Sequence, residues 1–391
     1  MSSNGMESLF QRSPSPSYYP SRVKLLVNGK LENFFALDGG MWEDEIENAP
    51  LLQRAWVFPE RYLARRVLHF GQHQMAWECR ELATLQALPN GLPRTCTQSA
   101  MAKPQFEHII HALSQNPVEE YDLKFARTWQ NLVQQYSKCA LTETQDKLIA
   151  FSGIAGRIQR YRNDCYVAGM WKSSLIYDLG WWRPIDMREA FPINKTSSRA
   201  ASWSWASVDG EIEFPTSMDS AKFHFAIVKE LANQITVESN VSSSRDFVRL
   251  QGHLLSLRLN WSLEEIYSFE VAHFRFVDNE SPISSFIKFE IADEEVQVLD
   301  RQGRLVFLPL FATGSTIYGI ALTEIHGTCA YRRIGALEIQ AENDSISAET
   351  IASIFPEAIA SGNSDQNELD DGVALLSFLT DLQTSQLIEL W

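Results

Sequence analysis

The hydrophobic residues of this chain change their spacing close to Trp203. Before it, apolar side chains recur at helical intervals, most clearly along Phe125, Trp129, Leu132, Val133 and Tyr136. After it, apolar and polar residues alternate with a period of two, which is typical of strands that bury one face. We therefore predict an α+β fold, in which an α-rich N-terminal part with a small β-hairpin packs on a C-terminal antiparallel β-barrel or sandwich.

The predicted elements follow from this periodicity. The helices are 106–113, the segment around Trp129, the segment from Leu148 to Ile158, and 166–179. Asn28-Gly29 between two apolar runs predicts the hairpin, because both central residues of a type I′ turn need positive φ. The predicted strands are 223–228, 247–259, 270–277, 286–292, 296–299, 305–311, 317–325 and 331–339, with a tight turn over 300–303.

Composition shifts divide the chain into four parts. Residues 1–21 are a Ser- and Pro-rich flexible lead-in, 22–205 form the α-rich region, 206–340 the β domain and 341–391 an acidic C-terminal tail. The tail holds ten acidic residues and no basic one, and contains helical patterns at 348–355 and 373–382. We expect a solvated appendage, so that deletion from Gly362 onward should leave the melting temperature nearly unchanged.

Composition also narrows the function classes. With 391 residues, 45% of them hydrophobic, the chain can bury one large core or two ordinary ones. Five widely spread cysteines without a CxxC pair favour reduced thiols in the cytoplasm. The pattern of a leader or of a membrane span is absent from the sequence, and the first 340 residues are nearly balanced in charge. A nucleic-acid partner is therefore not expected.

The segment 50–79 predicts a helix followed by a strand and is rich in charged groups: Arg54, Glu60, Arg61, Arg65 and Arg66. One interpretation is a solvated face with local ion pairs. Two histidine pairs, His69 with His73 and His108 with His111, have spacings that a metal site can use. We expect no metal site, because the neighbouring sequence supplies no acid or cysteine to complete a ligand set.

Several motifs resemble the fungal heterokaryon-incompatibility (HET) domain family. The order Gln53-Arg54-Ala55-Trp56, Glu60-Arg61, Leu68-His69-Phe70 and Trp77-Glu78-Cys79 is similar to the end of that domain, and Ser202-Trp203-Ser204-Trp205 to a second signature. Pro59 stands where the family commonly has Gln, which suggests that the helix begins near Pro59. Motifs that precede this point in the family, belonging to a TIR-like sheet, are absent from the sequence. The resemblance thus implies an N-terminally truncated member.

The sequence contains no phosphate loop, nucleophile elbow or metalloprotease motif, so we expect any catalysis to need no cofactor and no metal. The resemblance, which extends to HET-like cyclases of fungal natural-product pathways, implies a protein that binds a small hydrophobic substrate and promotes its cyclisation. Cyclisation of the Diels–Alderase type needs a folded substrate in an apolar pocket and at most one polarising donor. The alternatives are an incompatibility or cell-death protein acting through protein contacts, and a fragment without independent function.

The predicted site lies between segment 50–79 and segment 202–210, which are the densest mixtures of aromatic and polar residues. The wall residues are Trp56, Phe70, Trp77, Trp203 and Trp205. The candidate catalytic donors are Arg54, Arg61 and His69, since charged donors in a dry pocket contribute on the order of 1.5–3 kcal/mol. In the alternative interpretation Arg54 and Arg61 pair with acids such as Glu60 and Glu78, and the indoles fill the core.

Overall fold

The computed structural model of the protein describes residues 18–93, 100, 102–115, 123–184, 199–216, 221–231, 247–262, 265–271, 274–277, 286–313, 316–340, 359–360 and 386–391. Two units emerge from the pattern of backbone contacts. Unit 1 comprises Met1–Val118 and Lys138–Arg162, and unit 2 comprises Glu119–Ser137 and Asn163–Trp391. The predicted tail helices at 348–355 and 373–382 lie outside the described residues.

Unit 1 begins with the predicted hairpin, formed by β1 (Ser21–Val27) and β2 (Lys30–Ala36). The turn residues Asn28 and Gly29 have φ values of 50° and 77°, as the Asn-Gly pair predicts for a type I′ turn. Both faces of the hairpin are exposed: Leu26, for example, is 70% exposed. A large part of its apolar surface is therefore in contact with solvent.

The rest of unit 1 combines short helices with a three-stranded antiparallel sheet. Its elements are a π-helical turn (Glu43–Glu47), α1 (Val57–Leu63), β3 (Arg66–Phe70), β4 (Met75–Cys79), β5 (Ala83–Leu85), α2 (Ala102–Gln115) and α4 (Lys147–Gln159). The helix-then-strand prediction for segment 50–79 is confirmed. Helix α1 begins at Val57, two residues before the predicted start, so Pro59 lies in the first turn, where its missing N–H has no intrahelical acceptor.

Unit 2 contains α3 (Leu123–Ser137), whose buried face includes Phe125, Trp129 and Tyr136, as the periodicity predicts. The predicted helix over 166–179 is wrong. Its first half is a tight hairpin of β6 (Tyr166–Val167) and β7 (Met170–Trp171), and only α5 (Leu175–Asp178) is α-helical. The hairpin turn has positive φ at Ala168 (46°) and at Gly169 (90°), which a helix does not accommodate.

Helix α5 ends on a buried carboxyl group, Asp178. Ser174 Oγ donates to Asp178 Oδ2 over 2.6 Å and Gln130 Nε2 donates to Oδ1 over 2.9 Å. Burial raises the pKa of Asp178 to about 7 even though these hydrogen bonds favour its charged form. Asp178 is therefore one of the titrating groups in the core of unit 2.

Most of unit 2 is one large sheet, which confirms the α+β class and the two-residue period. Its strands are β8 (Ala221–His224), β9 (Ile227–Leu231), β10 (Val248–Gly252), β11 (Leu255–Ser262), β12 (Glu265–Val271), β13 (Phe274–Val277), β14 (Phe286–Phe289), β15 (Leu305–Thr313), β16 (Thr316–Glu324), β17 (Ala330–Gln340), β18 (Ile359–Ala360) and β19 (Gln386–Leu390). The main order is β13-β12-β11-β15-β16-β17-β19-β10-β9. The described strands form an open path along this order.

Two long strands exchange partners along their length. β15 pairs with β11 near its start and with β8 near its end, and β17 pairs with β19 at its first residues and with β14 further on. Strands that switch partners in this way allow one sheet to fold over on itself and enclose a core, as in orthogonal sandwich packing. The enclosed residues include Leu257, Phe289, Phe307 and Ile334.

Other segments of unit 2 also differ from the sequence prediction. Residues 296–299 are part of a helix, α6 (Asp293–Arg301): three acidic residues occupy its first turn, and Val296 and Leu299 bury one face at a spacing of three. The last residues are not a solvated appendage. β19 lies inside the sheet, antiparallel to β10 and parallel to β17, with Ile388 and Leu390 fully buried.

Candidate functional site

The π-helical turn of unit 1 brings two acidic side chains to the sheet. Glu45 is 3% exposed and Glu47 is partly buried. The turn is closed by the Asn48 N–H, which donates to the carbonyl of Glu43 over 2.8 Å, the five-residue spacing of a π turn. Such turns are rare and occur frequently at functional sites.

Arg61 on α1 forms the centre of the charged cluster. Its Nε and Nη2 donate to Glu78 over 2.8 and 3.0 Å, and its Nη1 and Nη2 donate to Glu47 over 2.9 and 2.8 Å. Arg61 therefore forms bidentate hydrogen bonds with both carboxylates, which is the geometry that guanidinium groups favour. The predicted alternative pairing of Arg61 with Glu78 is thus confirmed, and Arg61 is already engaged on both sides.

His69 on β3 completes this cluster. Its Nε2 lies 3.2 Å from Glu78 Oε2, and its ring meets Trp42 edge to face at 6.3 Å. Burial alone would raise the pKa of Glu78, but the hydrogen bond to His69 and the charge of Arg61 lower it to about 2. The carboxylate is therefore ionised under all ordinary conditions. Trp42 Nε1 in turn donates to Glu47 over 2.8 Å.

A second histidine–carboxylate pair lies in the loop between β3 and β4. His73 Nδ1 is 2.8 Å from Glu45 Oε1, and the His73 backbone N–H donates to Glu45 Oε2 over 3.1 Å. The Glu45 side chain is 1% exposed, whereas that of His73 is 47% exposed. The ring of Tyr18 stacks on His73 with 5.2 Å between centroids. This pair combines a buried carboxylate with an accessible imidazole.

An apolar pocket opens in the same unit. It has a volume of about 440 Å³ and is lined by Pro20, Phe35, Leu37, Leu88 and Pro93. Leu37 and Leu88 also pack on the core cluster that contains Trp42 and Ile46, as does Tyr18. Tyr18 thus contacts His73 and packs on the core cluster that two of the pocket-lining residues also contact.

The structure brings together only some of the sequence-predicted site residues. Arg61 and His69 meet on Glu78, as described above. Arg54 is exposed on the segment that pairs with Ala140, and Trp56 is 45% exposed, with Nε1 donating to Asp146 over 3.3 Å. Among the described residues, no hydrogen bond or ion pair joins Arg54 or Trp56 to Arg61, His69 or Glu78.

Phe70 and Trp77 lie on the sheet face opposite His69 and Glu78. They are 37% and 38% exposed, and the strands alternate between buried and exposed positions. Phe70 and Trp77 therefore form part of an exposed apolar face of β3 and β4, together with Leu68.

Trp203 and Trp205 belong to unit 2 and are completely buried. Trp205 Nε1 donates to the carbonyl of Gly169 over 2.9 Å, and the carbonyl of Trp203 accepts from Trp181 Nε1 over 3.0 Å. A Cβ at Gly169 would lie 2.6 Å from Trp205 Nε1, so the indole packs directly on that glycine. Both indoles have core contacts of the kind that the alternative interpretation predicts.

Sequence reasoning missed the residues that organise the cluster. Glu45 and Glu47 lie in the run Trp42–Glu47, whose mixture of acids and apolar residues is the only local signal, and a π turn has no reliable sequence pattern. The only sequence pattern that contains His73 is its four-residue spacing from His69. Its partner Glu45 is 28 residues away in sequence, so spacing could not reveal the pair.

The cluster therefore has two chemically different halves. In the half around Arg61, the buried guanidinium already donates hydrogen bonds to Glu47 and Glu78. This arrangement suits a structural ion network. The half around His73 places an imidazole on a fixed carboxylate at a partly open surface, which suits proton transfer. Within the described residues, no group of three or more His, Cys, Asp or Glu side chains is arranged to hold a metal ion. Nor does any described helix have the length and apolarity needed to cross a membrane.

Comparison of the chain with protein-family models, with curated proteins and with solved structures finds no match.

Proposed function

We propose that this protein binds a small hydrophobic molecule in the apolar pocket of unit 1 and promotes its cyclisation without a cofactor. The observation that carries the proposal is the pocket itself, about 440 Å³ in volume and lined by Pro20, Phe35, Leu37, Leu88 and Pro93. Pockets for small molecules have volumes of about 300–1,000 Å³ and are lined mainly by apolar side chains. The volume and the lining both fit a compact, mostly hydrocarbon ligand.

The chemistry follows from what such a pocket can supply. A ring closure between two parts of one molecule is accelerated when the pocket holds the reacting atoms in a near-attack arrangement. Apolar walls add little polarisation, so the shape of the pocket is its main contribution to catalysis. The resemblance to HET-like proteins of fungal terpenoid and polyketide pathways supports this function, and the widely spread cysteines without a CxxC pair favour a cytoplasmic location.

A substitution that fills the pocket with a larger side chain tests this proposal. Leu88→Trp places an indole in the pocket wall, whereas Leu26→Trp makes the same exchange on the exposed hairpin. We expect the affinity for a polyene aldehyde, measured by displacement of a hydrophobic fluorescent dye, to fall at least tenfold in Leu88→Trp and to stay unchanged in Leu26→Trp. Cyclised product formed from the aldehyde is followed in parallel by chromatography. Equal affinity in Leu88→Trp and the unmodified protein would overturn the proposal.

A second function is favoured by a separate observation, the exposed apolar surface of the β1–β2 hairpin. Leu26 and Leu31 are cross-strand partners and are each 70% exposed, and Phe35 is 72% exposed. Clustered apolar residues at a surface mark protein contacts more often than chance. This favours an incompatibility protein acting through protein contacts. Expression of Leu26→Ser/Leu31→Ser in a fungal host tests it: loss of a growth arrest caused by the unmodified protein supports this function, and an unchanged arrest contradicts it.

A further inference from the structure

We propose that His73, oriented by Glu45, is the proton-transfer residue for the molecule in the apolar pocket, and that the substrate is a hydrophobic carbonyl compound with an acidic C–H next to its carbonyl group. This inference rests on the proposed function and specifies its substrate class.

Glu45 holds the His73 imidazole in one orientation. An ionised carboxylate only accepts hydrogen bonds, so the 2.8 Å contact between Glu45 and Nδ1 places the ring proton on Nδ1. The other ring nitrogen, Nε2, is then the basic atom. The second bond from the His73 backbone N–H, at 3.1 Å, fixes the carboxylate itself. A base with a second group orienting it is the arrangement used in nucleophile and base activation generally.

Gly71 leaves space for the Glu45 carboxylate. A Cβ at Gly71 would lie 2.4 Å from Glu45 Oε2 and 2.6 Å from the carbonyl oxygen of Gln74. Only glycine at this position allows the carboxylate to approach the loop between β3 and β4. Because Gly71 has no side chain, the Glu45 carboxylate can lie close enough to this loop to accept the hydrogen bonds of His73.

His73 and His69 differ in their exposure to solvent. The His69 side chain is 9% exposed and contacts a carboxylate that also holds Arg61, whereas the His73 side chain is 47% exposed. An imidazole that exchanges protons with a bound molecule must be accessible from outside the core, and the exposed His73 side chain meets this requirement whereas His69 does not. His69 is a member of the structural network.

Tyr18 connects His73 with the core cluster on which two pocket-lining residues pack. Tyr18 stacks on the imidazole and packs on the same cluster as Leu37 and Leu88, which line the pocket. Partial burial and the carboxylates Glu45, Asp44 and Asp38 raise the pKa of the Tyr18 hydroxyl, so it remains protonated. The pocket walls and the Tyr18 ring that stacks on His73 therefore adjoin the same core cluster.

The chemistry balances within the substrate. Nε2 of His73 removes the proton from the carbon next to the carbonyl, the C–H electron pair forms a carbon–carbon double bond, and the carbonyl becomes an enolate. The imidazolium then returns the proton to the enolate oxygen, which yields a neutral enol. With an adjacent double bond this enol is a conjugated diene, the component that a ring closure in the pocket consumes. General base catalysis of this kind contributes typically 10²–10⁴-fold.

The test uses 5-nitrobenzisoxazole, an uncharged bicyclic C–H acid, with the full-length protein. A base removes its C3 proton, the electron pair forms a nitrile, and the N–O bond breaks to release a coloured phenolate. We expect saturable turnover by the unmodified protein. In His73→Ala we expect kcat to fall about 100-fold or more with KM unchanged, and added imidazole to restore part of the rate. His111→Ala, an exposed histidine on α2, serves as the matched control and should keep the full rate.

Glu45→Gln tests the positioning residue, because the amide oxygen keeps the contact with Nδ1 while the charge is removed. We expect a lower kcat with an unchanged KM. Two failures are distinguishable. If Leu88→Trp leaves KM unchanged, the pocket is not the binding site and the proposed function fails. If Leu88→Trp raises KM while His73→Ala keeps the full kcat, or imidazole restores nothing, only the inference about His73 is overturned. Absence of turnover in the unmodified protein also overturns it.

Discussion

Replacing Arg61 by Met should destabilise unit 1 strongly, because Arg61 holds two carboxylates at a buried position. The pKa of Glu78 is lowered from 4.5 to about 2. At about 1.4 kcal/mol per pKa unit, this shift corresponds to about 3 kcal/mol of stability, shared between Arg61 and His69. Removing the guanidinium also leaves Glu47 and Glu78 without their main partner, and breaking a buried pair in this way costs about 3–5 kcal/mol. We therefore expect a loss of about 3–5 kcal/mol in the free energy of unfolding.

The measurement is amide hydrogen exchange of β3 and β4, followed by mass spectrometry over a series of urea concentrations, which reports on unit 1 separately. Arg66→Met is the matched control, because Arg66 is an exposed residue of β3. We expect it to change the stability by less than about 0.5 kcal/mol. Adding Glu47→Gln and Glu78→Gln to Arg61→Met should recover part of the loss, because neutral amides no longer need the guanidinium.

The pH dependence gives an independent check. The pKa of Glu78 is lower in the folded protein, so its stabilising contribution is complete above pH 4.5 and disappears as the pH falls towards 2. The difference between Arg61→Met and the unmodified protein should therefore shrink over this interval. Equal protection of β3 and β4 in Arg61→Met and Arg66→Met would refute the reasoning.

Three further predictions follow from other features. Gly71→Ala should displace Glu45, since the added Cβ would lie 2.4 Å from its Oε2, and a crystal structure of the variant should show the carboxylate withdrawn from the loop. Deleting Gln386–Trp391 should lower the free energy of unfolding of unit 2 by about 3–6 kcal/mol, because two fully buried aliphatic side chains are lost; an unchanged melting temperature would restore the idea of a solvated tail. For Asp178, the folded pKa of about 7 exceeds the ordinary 3.8, so its contribution is complete below pH 3.8 and is lost as the pH rises through 7. Asp178→Asn should therefore remove up to about 4 kcal/mol of pH dependence from urea unfolding measured between pH 4 and pH 8.

The fold class could be predicted because local patterns agree with the global structure over most of the chain. The face of α3 and the Asn28-Gly29 turn are both encoded within a few neighbouring residues. The failures have local causes too. Segment 166–179 has helical spacing, but Ala168 and Gly169 have positive φ and Trp205 packs on Gly169, a tertiary contact that the local pattern does not encode.

The candidate site could be predicted only in part. Arg61, His69 and Glu78 all lie in segment 50–79, so the sequence could predict that they are close together. Glu45 precedes His73 by 28 residues and reaches it through the π turn, so no spacing rule connects them. The pocket is lined by residues that are distant in sequence, among them Pro20, Leu37 and Leu88, and none of them belongs to a recognisable motif. Such contacts arise from the arrangement of elements, which periodicity does not specify.

The interrupted course of the chain through its two units affects how the protein can be dissected. The chain leaves unit 1 after Val118, supplies α3 to unit 2, and returns at Lys138 before entering unit 2 again at Asn163. Gln130 on α3 bonds Asp178, and Ser137 Oγ accepts from the backbone N–H of Ile212 over 3.1 Å. A single cut anywhere between 118 and 163 therefore removes a native piece from at least one unit. Separate expression of either unit requires a rearranged gene in which a linker replaces the excursion, and such a gene offers a direct measure of how far each unit folds without the other.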